Sequence, residues 1–209
     1  MHRIKVIASL NECDDVARLH IASIKCGILP LLGQTTLSRI YFYVATDPNS
    51  IIYGAYSGAS LLGYVAATTS VQNLMGKILA RVLFRHLLTI LREGNLNALC
   101  HKLLAHLNIS ILSIGSRTIR GSSKLPPSCA AELLAVAVNC ESRNKGIGKD
   151  LIQKIDCFMQ ANNTPGYRVR TNKEDAISNI FYLSNGFKLL SELPFHTLNL
   201  NLFAKIFSK

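Results

Sequence analysis

The sequence predicts an α/β (α+β) fold in which helices flank a central sheet, and three stretches carry this prediction. Residues 130–138 are almost continuously apolar, which is typical of a strand buried on both faces. A polar, glycine-containing loop follows, and then a helix with apolar residues at helical spacing. Residues 196–203 alternate between polar and apolar side chains, which suits a strand with one wet face. The length of 209 residues favours one domain over 1–209.

The elements before the buried strand are predicted to be a strand, two helices and a hairpin. The strand covers residues 4–10, and the helices cover 13–24 and 37–47. We expect His20 to lie on the first helix at the edge of the core, without a catalytic role. Residues 48–76 contain no charge, but the turn at 57–60 divides them into two short β-rich segments, so a hairpin explains them better than a membrane span.

An insertion is predicted at about 70–128, between this hairpin and the buried strand. Residues 77–124 hold eight Lys and Arg but one acidic residue, and 77–107 are predicted to form two helices with broad apolar faces. These faces can be buried on the domain, on a second copy in a homodimer, or on a lipid surface as a peripheral membrane contact. The sequence leaves these three alternatives open.

Charge and cysteine usage limit the partners and the compartment. The net charge of +11 suits an anionic ligand or surface, but there is no zinc pattern or aromatic-rich RNA-binding strand, so we expect no nucleic acid partner. The six cysteines form no C-x-x-C pair and are expected to be reduced, with no metal site. The first residues lack a secretion signal, which predicts a cytoplasmic protein.

The loop after the buried strand predicts an anion site. Gly146 and Gly148 open a helix whose first N–H groups are free, and Arg143, Lys145 and Lys149 surround them. A phosphate or pyrophosphate would fit there. If only the residues of this loop are considered, the alternative to an anion site is a solvated basic turn.

A second motif follows about forty residues later. Residues 176–187 predict a short helix closed by Gly186 and followed by a strand. Together, R-N-K-G-I-G-K at 143–149 and S-N-I-F-Y-L-S-N-G-F at 178–187 resemble the GNAT superfamily of N-acetyltransferases. The first matches its R/Q-x-x-G-x-G/A loop and the second its A-N-x-F-Y-x-x-x-G-F helix. The resemblance extends over nearly the whole chain outside 70–128.

This resemblance implies a fold, a cosubstrate and a set of residue roles. The fold is a mixed, mostly antiparallel central sheet flanked by helices, and the cosubstrate is acetyl-CoA, with no metal. Tyr182 would give its proton to the departing sulfur, and Glu132 would be the general base. Glu132 is the only charge in its apolar strand, and a structural role at the strand entrance is the alternative. The residues implied to contact acetyl-CoA are Val136, Val138, Arg143, Asn144, Lys145, Gly146, Ile147, Gly148, Lys149 and Asn179.

Two departures from the family pattern bear on the acceptor. Arg168 and Arg170 stand on the strand where several protein N-terminal acetyltransferases carry a base, and Asp175 replaces the usual Asn. They favour a small-molecule amine acceptor, anionic in character, such as an amino sugar or a sugar nucleotide. The alternatives are a protein N-terminal (ribosomal-protein-like) acetyltransferase and a non-catalytic or membrane-peripheral binding protein of the same fold.

Overall fold

A single sheet organises the chain in the computed structural model, which describes residues 2–24, 29–78, 80–81, 130–195 and 198–207. The strands are β1 (Arg3–Val6), β2 (Ser50–Ser57), β3 (Ser60–Thr68), β4 (Glu132–Val138), β5 (Gly166–Asn172), β6 (Lys188–Phe195) and β7 (Leu198–Ile206). They lie in the order β1-β2-β3-β4-β5-β7-β6. Only the β4 and β5 neighbours are parallel in this sheet; its other strand pairs are antiparallel.

Four helices are bounded within the described residues: α1 (Leu10–Ser23), α2 (Gln34–Thr46), α3 (Ile147–Ala161) and α4 (Ala176–Ser184). Two short 3₁₀ turns, Leu29–Leu32 and Cys140–Ser142, precede α2 and α3. The order of strands and helices outside the insertion is the one the sequence predicts, and the mixed, mostly antiparallel sheet confirms the predicted fold class.

The start of α1 differs from the prediction by three residues. Ser9 caps the helix: its hydroxyl accepts the N–H of Glu12 at 3.3 Å, and the Glu12 carboxylate accepts the N–H of Ser9 at 3.1 Å. Lys5 donates to the same carboxylate, and this bond lowers the pKa of Glu12 to about 2. This capping box ends β1 early, so the predicted strand over 4–10 is too long.

Two apolar layers cover the faces of the sheet. The first lies under α3 and α4 and contains Leu151, Ile155, Tyr167 and Phe203, all fully or nearly fully buried. The second lies under α1 and α2 and contains Val16, Leu37, Ile52 and Tyr64. Because successive side chains of a strand point to opposite faces of the sheet, alternate residues of each strand contribute to the two layers.

His20 lies on α1, as predicted, but inside the second layer and not at the edge of the core, since it is only 2% exposed. Its Nδ1 lies 2.6 Å from the Tyr41 hydroxyl and 2.7 Å from the Tyr64 hydroxyl, and the two hydroxyls are 2.8 Å apart. Burial lowers the pKa of His20 to about 4 and raises those of both tyrosines. The cluster is therefore neutral at physiological pH.

The first turns of the predicted insertion pack on the domain. Residues 71–78 are helical, and Val71, Leu74 and Ile78 are buried in the second layer or beside it. Lys77 pairs with the buried Asp47 at 2.6 Å, and the Arg81 guanidinium lies 4.9 Å from the centre of the Tyr43 ring. This arrangement favours packing on the domain for residues 71–78 and for Arg81. Residues 79 and 82–129 lie outside the described residues. They include most of the predicted membrane or dimer contact at 77–107.

The depressed pKa of His20 predicts a specific acid sensitivity. The unfolded chain binds a proton at this site with a pKa near 6.5, whereas the folded chain does so only near 4. Above pH 6.5 this difference in pKa therefore contributes about 3 kcal/mol to the free energy of unfolding. The contribution is lost as the pH falls towards 4, at about 1.4 kcal/mol per pH unit.

Urea unfolding between pH 6.5 and 4.5 measures this slope directly. His20→Leu removes the titrating group and leaves the two tyrosine hydroxyls bonded to each other, so the variant should lose stability more gently over this range. An equal slope in the parent and the variant would mean that His20 is not the group responsible.

Candidate functional site

The middle of the sheet opens because β4 and β5 pair at only one position. Glu132 is registered opposite Arg168, and the Arg168 N–H donates to the Ala131 carbonyl at 3.2 Å. No later residue pair is registered between these two strands. The strands therefore separate towards their carboxyl ends, between residues 133–138 on one side and 170–172 on the other. We call this opening the β4–β5 gap.

A β-bulge in β4 lies at the start of the gap. Ala67 on β3 pairs with Leu133, but Ala66 pairs with Ala135, so Leu134 is an extra residue on β4. A bulge bends its strand and increases the local twist. This distortion explains why β4 stays paired with β3 while it leaves β5.

The N–H groups of Val136 and Val138 point into the gap. The Asn139 N–H donates to the Leu62 carbonyl on the β3 side at 2.8 Å. Because successive backbone groups of a strand point to opposite edges, Ala137 also faces β3, and Val136 and Val138 face the other way. The unpaired edge of β4 is thus a row of backbone hydrogen-bonding groups without a strand partner.

The loop after β4 carries two cations whose charges are not neutralised by described acidic groups. Arg143 Nε donates to the Val138 carbonyl at 3.2 Å, which holds this side chain at the rim of the gap. Lys145 Nζ donates to the Glu141 carbonyl at 2.9 Å. Both partners are neutral backbone oxygens, so both side chains keep their full charge for an anion.

The two positions of the loop require glycine for different structural reasons. Gly146 has a φ of +79°, a left-handed conformation, and a Cβ built there would meet nothing within 4 Å. At Gly148 a Cβ would lie 2.9 Å from Cε2 of Phe181 on α4. Gly146 therefore makes the turn beside open space, whereas Gly148 lets α3 and α4 approach each other.

Free backbone donors remain at the start of α3. The first intrahelical bond runs from the Asp150 N–H to the Gly146 carbonyl at 3.0 Å, so Ile147, Gly148 and Lys149 have no acceptor within the helix. Their N–H groups and the helix dipole favour an anion. The predicted anion loop and the gap are thus adjacent, because both begin at the carboxyl end of β4.

Tyr182 is buried on the inner face of α4, with an exposure of 6%. Its ring contacts those of Phe181, Phe187 and Phe203. Burial, with a smaller contribution from the negative charge of Asp175, raises the pKa of its hydroxyl above the usual value. The phenol is therefore protonated at neutral pH.

The end of α4 fixes the backbone of Tyr182. Gly186 has a φ of +85°, its N–H donates to the Leu183 carbonyl, and the Phe187 N–H donates to the Tyr182 carbonyl, each at 3.1 Å. This is the Schellman motif that the sequence indicates through Gly186.

Asn179 uses its amide to hold α4 in place. Its Nδ2 donates to the Lys173 carbonyl at 2.9 Å and to the Asn172 carbonyl at 3.3 Å, and its Oδ1 accepts from Asn201 at 3.1 Å. Asp175, the departure from the family pattern, caps the helix by accepting the Ser178 N–H at 3.1 Å. Asn179 therefore positions α4 against the end of β5, and its predicted contact with acetyl-CoA stays a prediction.

Glu132 is 7% exposed and is held by two arginines of β5. Its Oε2 accepts from Arg168 Nε at 2.9 Å and from Arg170 Nη2 at 2.8 Å. Its Oε1 accepts from Arg170 Nε at 3.1 Å and Nη2 at 2.9 Å. A carboxylate offers about four lone-pair sites. Guanidinium N–H groups occupy all of them, which argues against the predicted role of Glu132 as general base.

A cavity of about 430 Å³ lies elsewhere, between β1 and α3. It is lined by His2, Ile4, Asp150, Gln153, Lys154 and Cys157, and His2 pairs with Asp150 at 3.0 Å. β1 is three strands away from β4 in the sheet. We therefore do not assign this cavity to the site at the gap.

The described part of the chain contains no group of three or more His, Cys, Asp or Glu side chains able to hold a metal ion. Within the same residues, no helix has the length and apolarity to cross a membrane.

Comparison with known proteins gives one family match. Residues 104–189 match the family model described as an acetyltransferase (GNAT) domain. No curated protein matches the chain in sequence.

Solved structures with a similar fold are numerous, and three illustrate the likeness. The ribosomal-protein-S18-alanine N-acetyltransferase from Escherichia coli has a TM-score of 0.59 at 8% identity, covering 100% of this chain and 96% of its own. The PaiA N-acetyltransferase from Thermoplasma acidophilum, in complex with coenzyme A, has a TM-score of 0.60 at 13% identity, covering 99% of each chain. The aminoglycoside 6'-N-acetyltransferase AAC(6')-Ih from Acinetobacter baumannii has a TM-score of 0.58 at 13% identity, covering 93% of this chain and 95% of its own. At these identities the likeness shows the fold.

The distinct roles of the two loop glycines predict distinct effects of substitution. Gly148→Ala pushes a methyl group into the Phe181 ring and should cost about 1–3 kcal/mol of stability. Gly146→Ala strains a left-handed residue, at about 1–2 kcal/mol, without a clash.

Chemical denaturation of each variant, alone and with Phe181→Leu, separates the two causes. The smaller residue at 181 should reduce the cost of Gly148→Ala and leave that of Gly146→Ala unchanged. If Phe181→Leu leaves the cost of Gly148→Ala as it was, the contact between α3 and α4 is not the reason for this glycine.

Proposed function

We propose that this protein is a member of the GNAT superfamily and acts as an acetyl-CoA-dependent N-acetyltransferase. The observation that carries the proposal is the unpaired edge of β4, where the N–H groups of Val136 and Val138 face the β4–β5 gap. The basic loop and the free start of α3 lie at the open end of this gap, and Tyr182 lies on the adjoining helix. Acyl transfer needs a carbonyl-binding edge, an anion site and a proton donor, and these three features support assigning one of those roles to each.

Acetyl-CoA is proposed to lie along the gap. Val136 and Val138 would hydrogen-bond its thioester carbonyl and pantetheine arm through their backbone. Residues 143–149 would hold its pyrophosphate through the N–H groups at the start of α3 and the charges of Arg143, Lys145 and Lys149. The open space beside Gly146 fits this role, because no side chain of the described residues obstructs the approach of a phosphate to the backbone.

When bound, acetyl-CoA supplies an activated acetyl group as a thioester, which a neutral amine can attack. Hydrogen bonds from the β4 edge stabilise negative charge on the carbonyl oxygen. Tyr182 is the proposed general acid for the leaving sulfur, since its raised pKa keeps the hydroxyl protonated at neutral pH. We assign no base to the amine proton, because the arginines occupy the Glu132 carboxylate; water can accept this proton.

The acceptor is proposed to be a small-molecule amine, with an amino sugar or sugar nucleotide as the first candidate. The departures at Arg168, Arg170 and Asp175 support this choice. The fold similarity to an aminoglycoside 6'-N-acetyltransferase is consistent with it. Transfer to a protein N-terminus is the alternative, since another protein of similar fold is a ribosomal-protein-S18-alanine N-acetyltransferase. The free thiols of Cys13, Cys140 and Cys157 suit the proposed cytoplasmic location.

The proposed activity is tested by incubating the purified protein with acetyl-CoA and a panel of amines. The panel includes amino sugars, a polyamine and peptides with a free N-terminal alanine. We expect release of the coenzyme A thiol together with an amine whose mass increases by one acetyl group. Calorimetric binding of acetyl-CoA without acetyl transfer to any member would support the non-catalytic alternative.

Tyr182→Phe tests the proton donor. Phenylalanine keeps the ring contacts, so the variant should fold and bind acetyl-CoA like the parent, but kcat should fall about 10²-fold. Tyr167→Phe is the matched control. It removes another buried hydroxyl of the same aromatic cluster, one that donates to Asp156 at 2.8 Å, and should leave kcat within about twofold. Equal kcat values in the parent and Tyr182→Phe would exclude Tyr182 as the general acid.

A further inference from the structure

The arginines that bind Glu132 carry more positive charge than their partner neutralises. Arg168 and Arg170 share one carboxylate, and no other acidic side chain in the described residues bonds to either of them. The cluster therefore has a net charge of +1. Glu132 uses only Nε of Arg168 and Nε and Nη2 of Arg170. The remaining N–H groups of both guanidiniums have no partner among the described residues.

Three lysines outside the loop each have a carboxylate of their own. Lys77 pairs with Asp47, Lys173 with Glu192 and Lys205 with Asp156, each at 2.6 Å. Arg81, which the basic insertion contributes, lies over the Tyr43 ring. An arginine pair on a single carboxylate is thus a local excess of positive charge beside the gap.

This excess lies where the gap begins, at the end where β4 and β5 are still paired. Arg168 is the last residue of β5 registered with β4, and Arg170 is two residues nearer the open carboxyl end. Tyr167 and Val169 point into the core under α3, so the alternating arginines point to the opposite face of the sheet. On that face α1 packs on β3 and β4, and α2 packs on β2. The arginine side chains keep exposures of 28% and 21%.

We propose that Arg168 and Arg170 bind a carboxylate or phosphate of the acceptor, so that the substrate is an amine carrying an anionic group. This inference rests on the proposed function, and it assigns the acceptor side of the same gap. A planar guanidinium recognises either anion with two parallel hydrogen bonds, and Arg170 is already oriented by its bonds to Glu132. Glu132 is a positioning residue in this account, because it fixes both guanidiniums before the substrate arrives.

Two of the eight Lys and Arg residues of 77–124 belong to the described residues, and both contact groups of the domain. The basic composition of residues 77–124 suggests a role in attracting an anionic acceptor. Lys77 and Arg81 instead contact Asp47 and Tyr43 on the domain. Arg168 and Arg170 lie at the gap itself and face the side that acetyl-CoA would leave open.

The test compares matched pairs of amines that differ by one anionic group. The pairs are glucosamine and glucosamine 6-phosphate, ethanolamine and phosphoethanolamine, and tyramine and tyrosine. Calorimetric binding is measured with the full chain, with and without saturating coenzyme A. In at least one pair, the anionic member should bind about tenfold more tightly or better, and raising the salt concentration should reduce this preference. A preference within the glucosamine or ethanolamine pair indicates recognition of a phosphate, and a preference within the tyramine pair indicates recognition of a carboxylate.

Three variants identify the residues responsible. Arg170→Gln should remove the preference for the anionic member, and Arg170→Lys should keep part of it, because lysine keeps the charge but not the paired donors. Arg3→Gln makes the same chemical change on β1, three strands from β4, and should leave the preference intact. Thermal unfolding of each variant checks that it is folded. The absence of any preference in the parent, or its persistence in Arg170→Gln, would overturn the proposal.

Acetyl transfer measured on the same six amines separates this inference from the proposed function. Transfer to neutral and anionic amines with equal kcat/KM would overturn the anion site and leave the acetyltransferase proposal standing. Preferential binding of the anionic amines without transfer to any acceptor would support the anion site and contradict the proposed activity.

Discussion

The separation of β4 from β5 is the constraint on which the rest of the site depends. A strand in the middle of a sheet normally pairs its N–H and C=O groups on both edges, because unpaired backbone groups are costly away from water. Here the bulge at Leu134 turns one edge of β4 away from its neighbour after a single registered pair. The ladders of β3 with β4 and of β5 with β7 hold the two halves of the sheet, so the opening persists without loss of the core. A ligand with hydrogen-bonding groups of its own can complete the unpaired edge.

Local contacts fix the positions of α3 and α4, the two helices beside the gap. Gly148 lets α3 approach Phe181 of α4, and Asn179 ties α4 to the end of β5. The Schellman motif at Gly186 then fixes Tyr182 at the last turn. Because these contacts lie on both sides of the gap, the distance between the β4 edge and the Tyr182 hydroxyl depends on all of them. Substitutions far from the chemistry can therefore change catalysis through α4.

The sequence predicts the order of elements and the position of the glycine loop, since both follow from local periodicity and turn residues. It also identifies the hairpin, because the charge-free run is interrupted by 57–60. The bulge at Leu134 cannot be read from the sequence, because it is a mismatch in register with a strand outside the local window. The ion-pair partners of Glu132 could not be read from the sequence either, because they lie 36 and 38 residues away. A lone acidic residue in one strand and two arginines alternating in the next parallel strand are the signal that indicates this cluster.

Residue-resolved amide hydrogen exchange, with and without acetyl-CoA, tests the central claim most directly. The Val136 and Val138 N–H groups face the gap in this account, whereas that of Ala137 faces β3. Saturation with acetyl-CoA should therefore slow exchange at Val136 and Val138 by about tenfold or more, with a much smaller change at Ala137. If acetyl-CoA binds by calorimetry but leaves exchange at Val136 and Val138 unchanged, the β4–β5 gap is not its binding site.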